Sequence, residues 1–118
     1  MPICETLPMA PDTVINEDNP IAFTEPVEVG PFTQGIVFVQ IIDYHGEPDP
    51  VFEVGVSPSG YDDWDLHWAP ITSLTDVNSE GMYAIQLDNF GNWLQIRSEL
   101  NAGNKGEICF LVWFVGTG

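Results

Sequence analysis

The sequence predicts an all-β protein, an antiparallel β-sandwich of jelly-roll type. Seven or eight short segments rich in β-branched and aromatic residues follow one another, separated by turns rich in glycine, proline and aspartate. Their spacing is close to the roughly 8–12 residues that are typical of sandwiches and barrels. No window of useful length repeats its apolar residues with the period of about 3.6 that an amphipathic helix requires.

The most apolar segment is GEICFLVWFV, residues 106–115. Alternate residues of a strand point to opposite faces, and here both alternating sets are apolar. One set is Ile108, Phe110, Val112 and Phe114, and the other is Cys109, Leu111, Trp113 and Val115. Such a strand needs cover twice, once from its own core and once from a second layer or another subunit.

Four other segments read as strands. Residues 35–43, GIVFVQIID, are again apolar on both faces, which places them beside or opposite the strand at 106–115. Residues 51–57, 81–87 and 92–98 follow, and the first and last of these alternate apolar with polar or small residues. Turns containing glycine or proline lie between the segments.

The segment WDLHWA, residues 64–69, is interpreted as a further strand. Trp64, Leu66 and Trp68 would share one face of it, and Asp65 and His67 the other. The polar stretch at 70–80 is predicted to be a loop with a single turn.

Residues 1–34 differ from residues 35–118, which we expect to form the sandwich domain. Residues 1–34 contain six of the ten prolines: Pro2, Pro8, Pro11, Pro20, Pro26 and Pro31. Proline removes a hydrogen-bond donor and favours extended backbone before it, so a helix is excluded. Two interpretations stay open, an edge strand with loops folded on the chain's own sandwich, and an extended arm across a neighbouring subunit. On the second, a chain without residues 1–20 would still fold.

The charge balance limits the partners. The sequence has eighteen acidic residues and two basic ones, Arg97 and Lys105, so its formal net charge is −16. Two basic residues cannot neutralise a row of phosphates, and nucleic acid is therefore not an expected partner. The acidity keeps the surface solvated, or it serves salt tolerance, repulsion of a polyanion or docking on a basic partner. No segment approaches the roughly 20 apolar residues of a membrane span, and no signal-peptide pattern begins the sequence.

Few residues in this sequence indicate catalysis or metal binding. Neither His45 nor His67 has a nucleophile that the sequence places beside it, so no catalytic residue and no cofactor are predicted. The cluster Asp62, Asp63 and Asp65 is a weak candidate for calcium, which binds six to eight oxygens, but it lacks the glycine and distal glutamate of an EF-hand.

The two cysteines, Cys4 and Cys109, are expected to be free thiols, and Cys109 at least is expected to be buried. A disulfide between them has no geometric support, and synthesis in the cytoplasm argues for thiols.

Aromatic residues offer a second site. Tyr61, Trp64 and Trp68 lie close together in the sequence and could form a platform for a sugar ring, with Trp93 heading a nearby strand. The same spacing suits a well-packed core. Both interpretations are kept.

Several motifs resemble those of small virion proteins of tailed bacteriophages. The stretch FEVGVSPSGYDDW, residues 52–64, is similar to a strand that runs into S-x-D-G-x-x-W, with Ser59 where that pattern has aspartate. GMYAI at 81–85 and GNWLQIRS at 91–98 continue it, the latter close to G-x-W-L-R-x-R, and the apolar strand ICFLVWFV ends it. The resemblance covers about residues 35–115 and leaves the proline-rich segment unmatched.

This resemblance implies a non-enzymatic capsid decoration or cement protein. Such a protein would bind the major capsid protein or another virion protein, as a dimer or trimer, and would reside in the virion. The expected partner-binding residues are Ile3, Leu7, Met9, Val14, Ile15 and Trp113. The alternative is a carbohydrate- or calcium-dependent binding module that uses Tyr61, Trp64 and Trp68.

Overall fold

A computed structural model describes residues 4–61, 63–88, 90–101 and 105–118. Within these residues the chain forms nine strands and one short helix. They are β1 (Cys4–Asn16), β2 (Ile21–Phe23), β3 (Val27–Glu28), β4 (Gln34–Gly46), β5 (Pro50–Ser57), α1 (Trp64–His67), β6 (Ala69–Leu74), β7 (Gly81–Leu87), β8 (Trp93–Leu100) and β9 (Gly106–Thr117).

The strands form two antiparallel sheets, which confirms the predicted all-β sandwich. The four-stranded sheet has the order β1-β9-β4-β7. The five-stranded sheet has the order β2-β8-β5-β6, and β3 also pairs with β8. Neighbours in each sheet are antiparallel throughout.

The two strands predicted to be apolar on both faces lie side by side in the middle of the four-stranded sheet. β9 pairs with β1 on one side and with β4 on the other. One alternating set of each strand is buried in the core, namely Val37, Val39 and Ile41 on β4 and Ile108, Phe110, Val112 and Phe114 on β9. The other set, which includes Phe38 and Trp113, is only partly buried. The sequence therefore predicted the position of these strands correctly.

Aromatic rings join the two sheets across the core. The Phe52 ring of β5 meets the Phe110 ring of β9 edge-on, with centroids 5.0 Å apart. The Phe114 ring occupies the space over Gly35, where an added β-carbon would lie 2.3 Å from the ring. A side chain at position 35 would therefore displace Phe114 from the core.

The expected N-terminal arm is not confirmed, because the described residues from Cys4 onward belong to the sandwich. β1 is an edge strand of the four-stranded sheet, and its pairing with β9 shifts register between Pro8 and Ala10 and again between Ala10 and Thr13. Edge positions and bulges are where strands accommodate proline, since a missing N–H is not needed there. Loss of residues 1–20 would therefore remove β1, together with the buried side chains of Met9 and Ile15 that it contributes to the core.

The rest of the proline-rich segment is joined to the five-stranded sheet through β8. The Thr24 hydroxyl accepts a hydrogen bond from the Ile96 amide at 3.0 Å, and the Gln95 side-chain amide donates to the Thr24 carbonyl at 2.8 Å. Thr24 is 5% exposed, so these bonds satisfy polar groups that water does not reach. The Glu25 amide also donates to the Met9 carbonyl, which ties this segment to β1.

Two local predictions were wrong. Residues 64–67 form the helical turn α1 instead of a strand, and residues 69–74 form the edge strand β6 where a loop was predicted. β6, with the sequence APITSL, is mostly exposed and mixes apolar with polar residues on both faces, so it has no apolar alternation from which the sequence could identify it. In the described part of the chain, α1 is far too short to cross a membrane, and no helix there is long and apolar enough to do so.

Two adjacent residues of β1 test its place in the core. Ile15 is fully buried, whereas Val14 points outward and is 49% exposed. We expect Ile15→Ala to lower the free energy of unfolding by about 2–5 kcal/mol, because it leaves a cavity, and Val14→Ala to change it by roughly 0.5 kcal/mol. Urea denaturation of both variants measures this. Equal small effects would mean that β1 is an arm and not a core strand.

Candidate functional site

The three aromatic residues of the predicted ligand platform meet at α1, but two of them are packed. Trp68 is 6% exposed, and its indole N–H donates to the Tyr61 carbonyl at 2.8 Å. Its ring stacks on that of Trp64, with centroids 6.0 Å apart and planes 8° apart. Only Tyr61, which is 66% exposed, presents most of its side chain to solvent.

Trp64 itself covers the outside of the five-stranded sheet. A β-carbon added at Gly55 of β5 would come within 2.3 Å of the Trp64 ring, so the glycine makes room for the indole. The Phe23 ring of β2 lies beside it, at a centroid distance of 5.8 Å. These contacts favour packing as the role of Trp64 and Trp68.

The weak calcium candidates do not form a recognisable site among the described residues. Asp62 lies outside those residues. Asp63 precedes α1 in a left-handed conformation, with φ of 80°, and its carbonyl accepts the amides of Leu66 and His67. Asp65 is exposed. Over the described ranges, no three His, Cys, Asp or Glu side chains come together in a way that could hold a metal ion.

The most distinctive surface of the molecule is the face of the four-stranded sheet that points away from the core. We call it the outer apolar face. It consists of the outward residues of β4, β9 and β7 together with Val14 of β1, as the strand register defines them. Its residues are Val14, Ile36, Phe38, Gln40, Ile42, Met82, Ala84, Cys109, Leu111, Trp113 and Val115.

No described strand or helix forms a second layer over this face. Met82 is 56% exposed there, and Phe38 and Trp113 are partly exposed. A hollow of about 300 Å³ opens between Thr6, Phe38, Met82, Trp113 and Val115. An apolar sheet face of this extent is typical of a protein interface.

The two ends of the face differ in charge. At the end where β1 stops, Asp12, Asp43 and Glu107 lie near enough to Cys109 to act on its thiol, and these carboxylates outnumber the cation Lys105 at the same end. We call this the acidic end. Burial and then these three carboxylates raise the pKa of the Cys109 thiol, because a thiolate would lose solvation and meet like charge.

The opposite end carries fewer carboxylates. Glu5 on β1 and Asp88 after β7 are exposed there, and the side chains that line the sheet between them are neutral. Gln34, Gln86 and Thr117 line a smaller hollow there. Cys4 also lies at this end, where it pairs with Thr117. The described structure therefore places both free thiols at opposite ends of one sheet, which confirms that Cys4 and Cys109 are not joined.

The residues predicted to bind a partner separate into three groups. Met9 and Ile15 are buried in the chain's own core, so they present no surface to a neighbour, and Leu7 packs against that core. Val14 and Trp113 lie on the outer apolar face, where a partner could reach them. Ile3 lies outside the described residues.

Sequence reasoning found both central strands of this face, but Trp113 is the one outward residue of these two strands that was predicted to bind a partner. Phe38 and Leu111 belong to the same surface. The signal was present, since each lies in the second alternating set of its strand. The sequence left open whether β4 lies beside β9 or opposite it, and only the observed pairing merges the two outward sets into one surface. Comparison with protein-family models and with curated proteins gives no match.

The aromatic cluster can be tested with a pair of substitutions. We expect Trp68→Ala to lower the free energy of unfolding by about 3–5 kcal/mol, because a buried ring is lost. Tyr61→Ala is the matched control and should change it by roughly 0.5 kcal/mol, since that side chain is mostly exposed. Chemical denaturation measures both. A stable Trp68→Ala variant would restore the platform interpretation.

The environment of Cys109 can be tested by alkylation. Since only the thiolate reacts, a raised pKa means slower alkylation at pH 8 and a pH–rate profile whose midpoint lies above that of an unperturbed thiol. The Cys4→Ser variant isolates Cys109, and the same variant unfolded in urea is the control. High salt should lower the midpoint by screening the carboxylates. A folded midpoint equal to the unfolded one would contradict this environment.

Proposed function

We propose that this chain is a non-enzymatic structural protein that binds and reinforces a protein lattice, as a decoration protein of a virion does. The observation that carries the proposal is the outer apolar face, which has no second layer among the described elements and so marks the chain as a subunit of a larger protein assembly. An apolar sheet face in water is a cost to the free chain, and burial against protein removes it.

The strand order supports a jelly roll as the form of the sandwich. If β2 and β3 count as one strand, the eight strands run 1-8-3-6 in one sheet and 2-7-4-5 in the other. A double Greek key produces eight strands that are divided between two sheets in this order. Viral capsid domains use this architecture, although lectins and cupins use it too, so it supports the proposal without deciding it.

The chemistry of the surface agrees with a structural role. Apolar side chains make up most of the outer apolar face. The charge of −16 would keep such a subunit soluble before it assembles. Binding only to the assembled lattice would stabilise that lattice by mass action. The major capsid protein or another virion protein is the proposed partner, and the virion the proposed location.

Particles test this proposal. Virus particles from a lysate of the source that carries the gene are banded in a density gradient, and the fractions are probed with an antibody against this chain. We expect the chain to band with the particles and to stay bound through a second gradient. A chain that remains entirely at the top of the gradient, while particles band normally, would overturn the proposal.

A further inference from the structure

We propose that the partner on the outer apolar face is a second copy of this chain, packed sheet against sheet with its strands antiparallel to those of the first. This inference rests on the proposed function in one respect, that the face is a protein interface, and it names the partner. Contacts with a lattice would then use the other surfaces of the dimer.

The size of the face fits a dimer. β1, β4 and β9 have 13, 13 and 12 residues, and β7 has 7. With strands about 4.8 Å apart and a rise of about 3.3 Å per residue, the sheet covers roughly 700 Å². A standard specific interface buries about 800 Å² from each partner.

Charge favours a second copy over a charged partner. None of the residues 36–42, 82–86 and 109–115, all of which the structure describes, is ionisable except Cys109 and Tyr83. The carboxylates that would attract a basic partner therefore lie elsewhere on the surface. Two copies of a chain with a charge of −16 can therefore meet over the middle of this face without juxtaposing carboxylates. Flat apolar sheet faces pack well on each other, at a separation of about 10 Å.

The charge difference between the two ends selects the orientation. In a closed dimer that packs face to face, the two-fold axis lies in the plane of the interface. An axis along the strands would put Asp12, Asp43 and Glu107 of one copy over the same residues of the other. An axis across the strands puts the acidic end over the less acidic end, where Gln34 and Gln86 offer amide donors.

The mass in solution tests the partner. Light scattering at tens of micromolar should give twice the chain mass of 13.1 kDa for the wild type. Ala84→Glu puts a carboxylate on the outer apolar face, in its edge strand β7, without touching the core, because Ala84 is exposed opposite Phe38. We expect this variant to be a folded monomer by circular dichroism and mass. The matched control is Ser73→Glu on β6, an exposed residue on the outside of the other sheet, which should stay dimeric.

Each other outcome overturns the inference. A monomeric or trimeric wild type excludes this dimer, and a dimeric Ala84→Glu variant places its interface elsewhere. If Ser73→Glu also dissociates, added charge alone breaks the dimer and the face is not its cause. Salt separates the inference from a charge-driven contact, because screening of two acidic copies should tighten the dimer as NaCl rises, whereas weakening would contradict it.

A spin label tests the orientation. Asp18, which follows β1 at the acidic end, is exposed and is replaced by cysteine in a chain that also carries Cys4→Ser and Cys109→Ser. Antiparallel copies put the two labels about 45 Å apart, and parallel copies about 20 Å, from the strand dimensions. Pulsed electron paramagnetic resonance measures the distance, and the short value would overturn the proposed orientation.

The two proposals can fail separately. A wild-type monomer that nevertheless bands with particles would leave the lattice role standing and remove the second copy. A dimer of the expected orientation that is absent from particles would do the reverse.

Discussion

The pairing of β9 between β1 and β4 is the contact on which the rest of the structure depends. It places the most apolar strand of the chain in the middle of a sheet, where its backbone groups are satisfied on both sides. One row of its side chains then meets the five-stranded sheet and forms the core. The other row must point away from that core, because the period of a strand is two residues. The outer apolar face follows directly from the sequence of β9 and its position.

β1 shows how a proline-rich segment can serve as an edge strand. Pro8 and Pro11 lie in the part of β1 where the register with β9 shifts, so their missing donors do not interrupt a regular ladder. Prolines on an edge also discourage further strands from adding there. The four-stranded sheet therefore resists the addition of a further strand at this edge.

The sequence predicted the architecture where alternation was strong. β4, β5, β8 and β9 were placed correctly, and so was the set of β9 residues that fills the core. It failed where tertiary contacts decide the conformation. Trp64 and Trp68 alternate like strand residues, but they pack on one helical turn because Gly55 leaves room for an indole against the sheet. Met9 and Ile15 were predicted to contact a neighbour, because the sequence left open whether their segment crosses another subunit or folds on the chain's own sandwich as an edge strand.

The candidate site could be predicted only in part for the same reason. Two doubly apolar strands indicated an interface, but only their direct pairing, with β7 alongside, makes one continuous surface and sets a less acidic end against an acidic end. The central claim is that a second copy of this chain covers the outer apolar face. The concentration dependence of the thermal unfolding midpoint tests that claim most directly, because a partner bound only by the folded chain raises the midpoint by mass action. A midpoint that rises steadily with protein concentration is the expected result, and one that is independent of concentration over a wide range would contradict the claim.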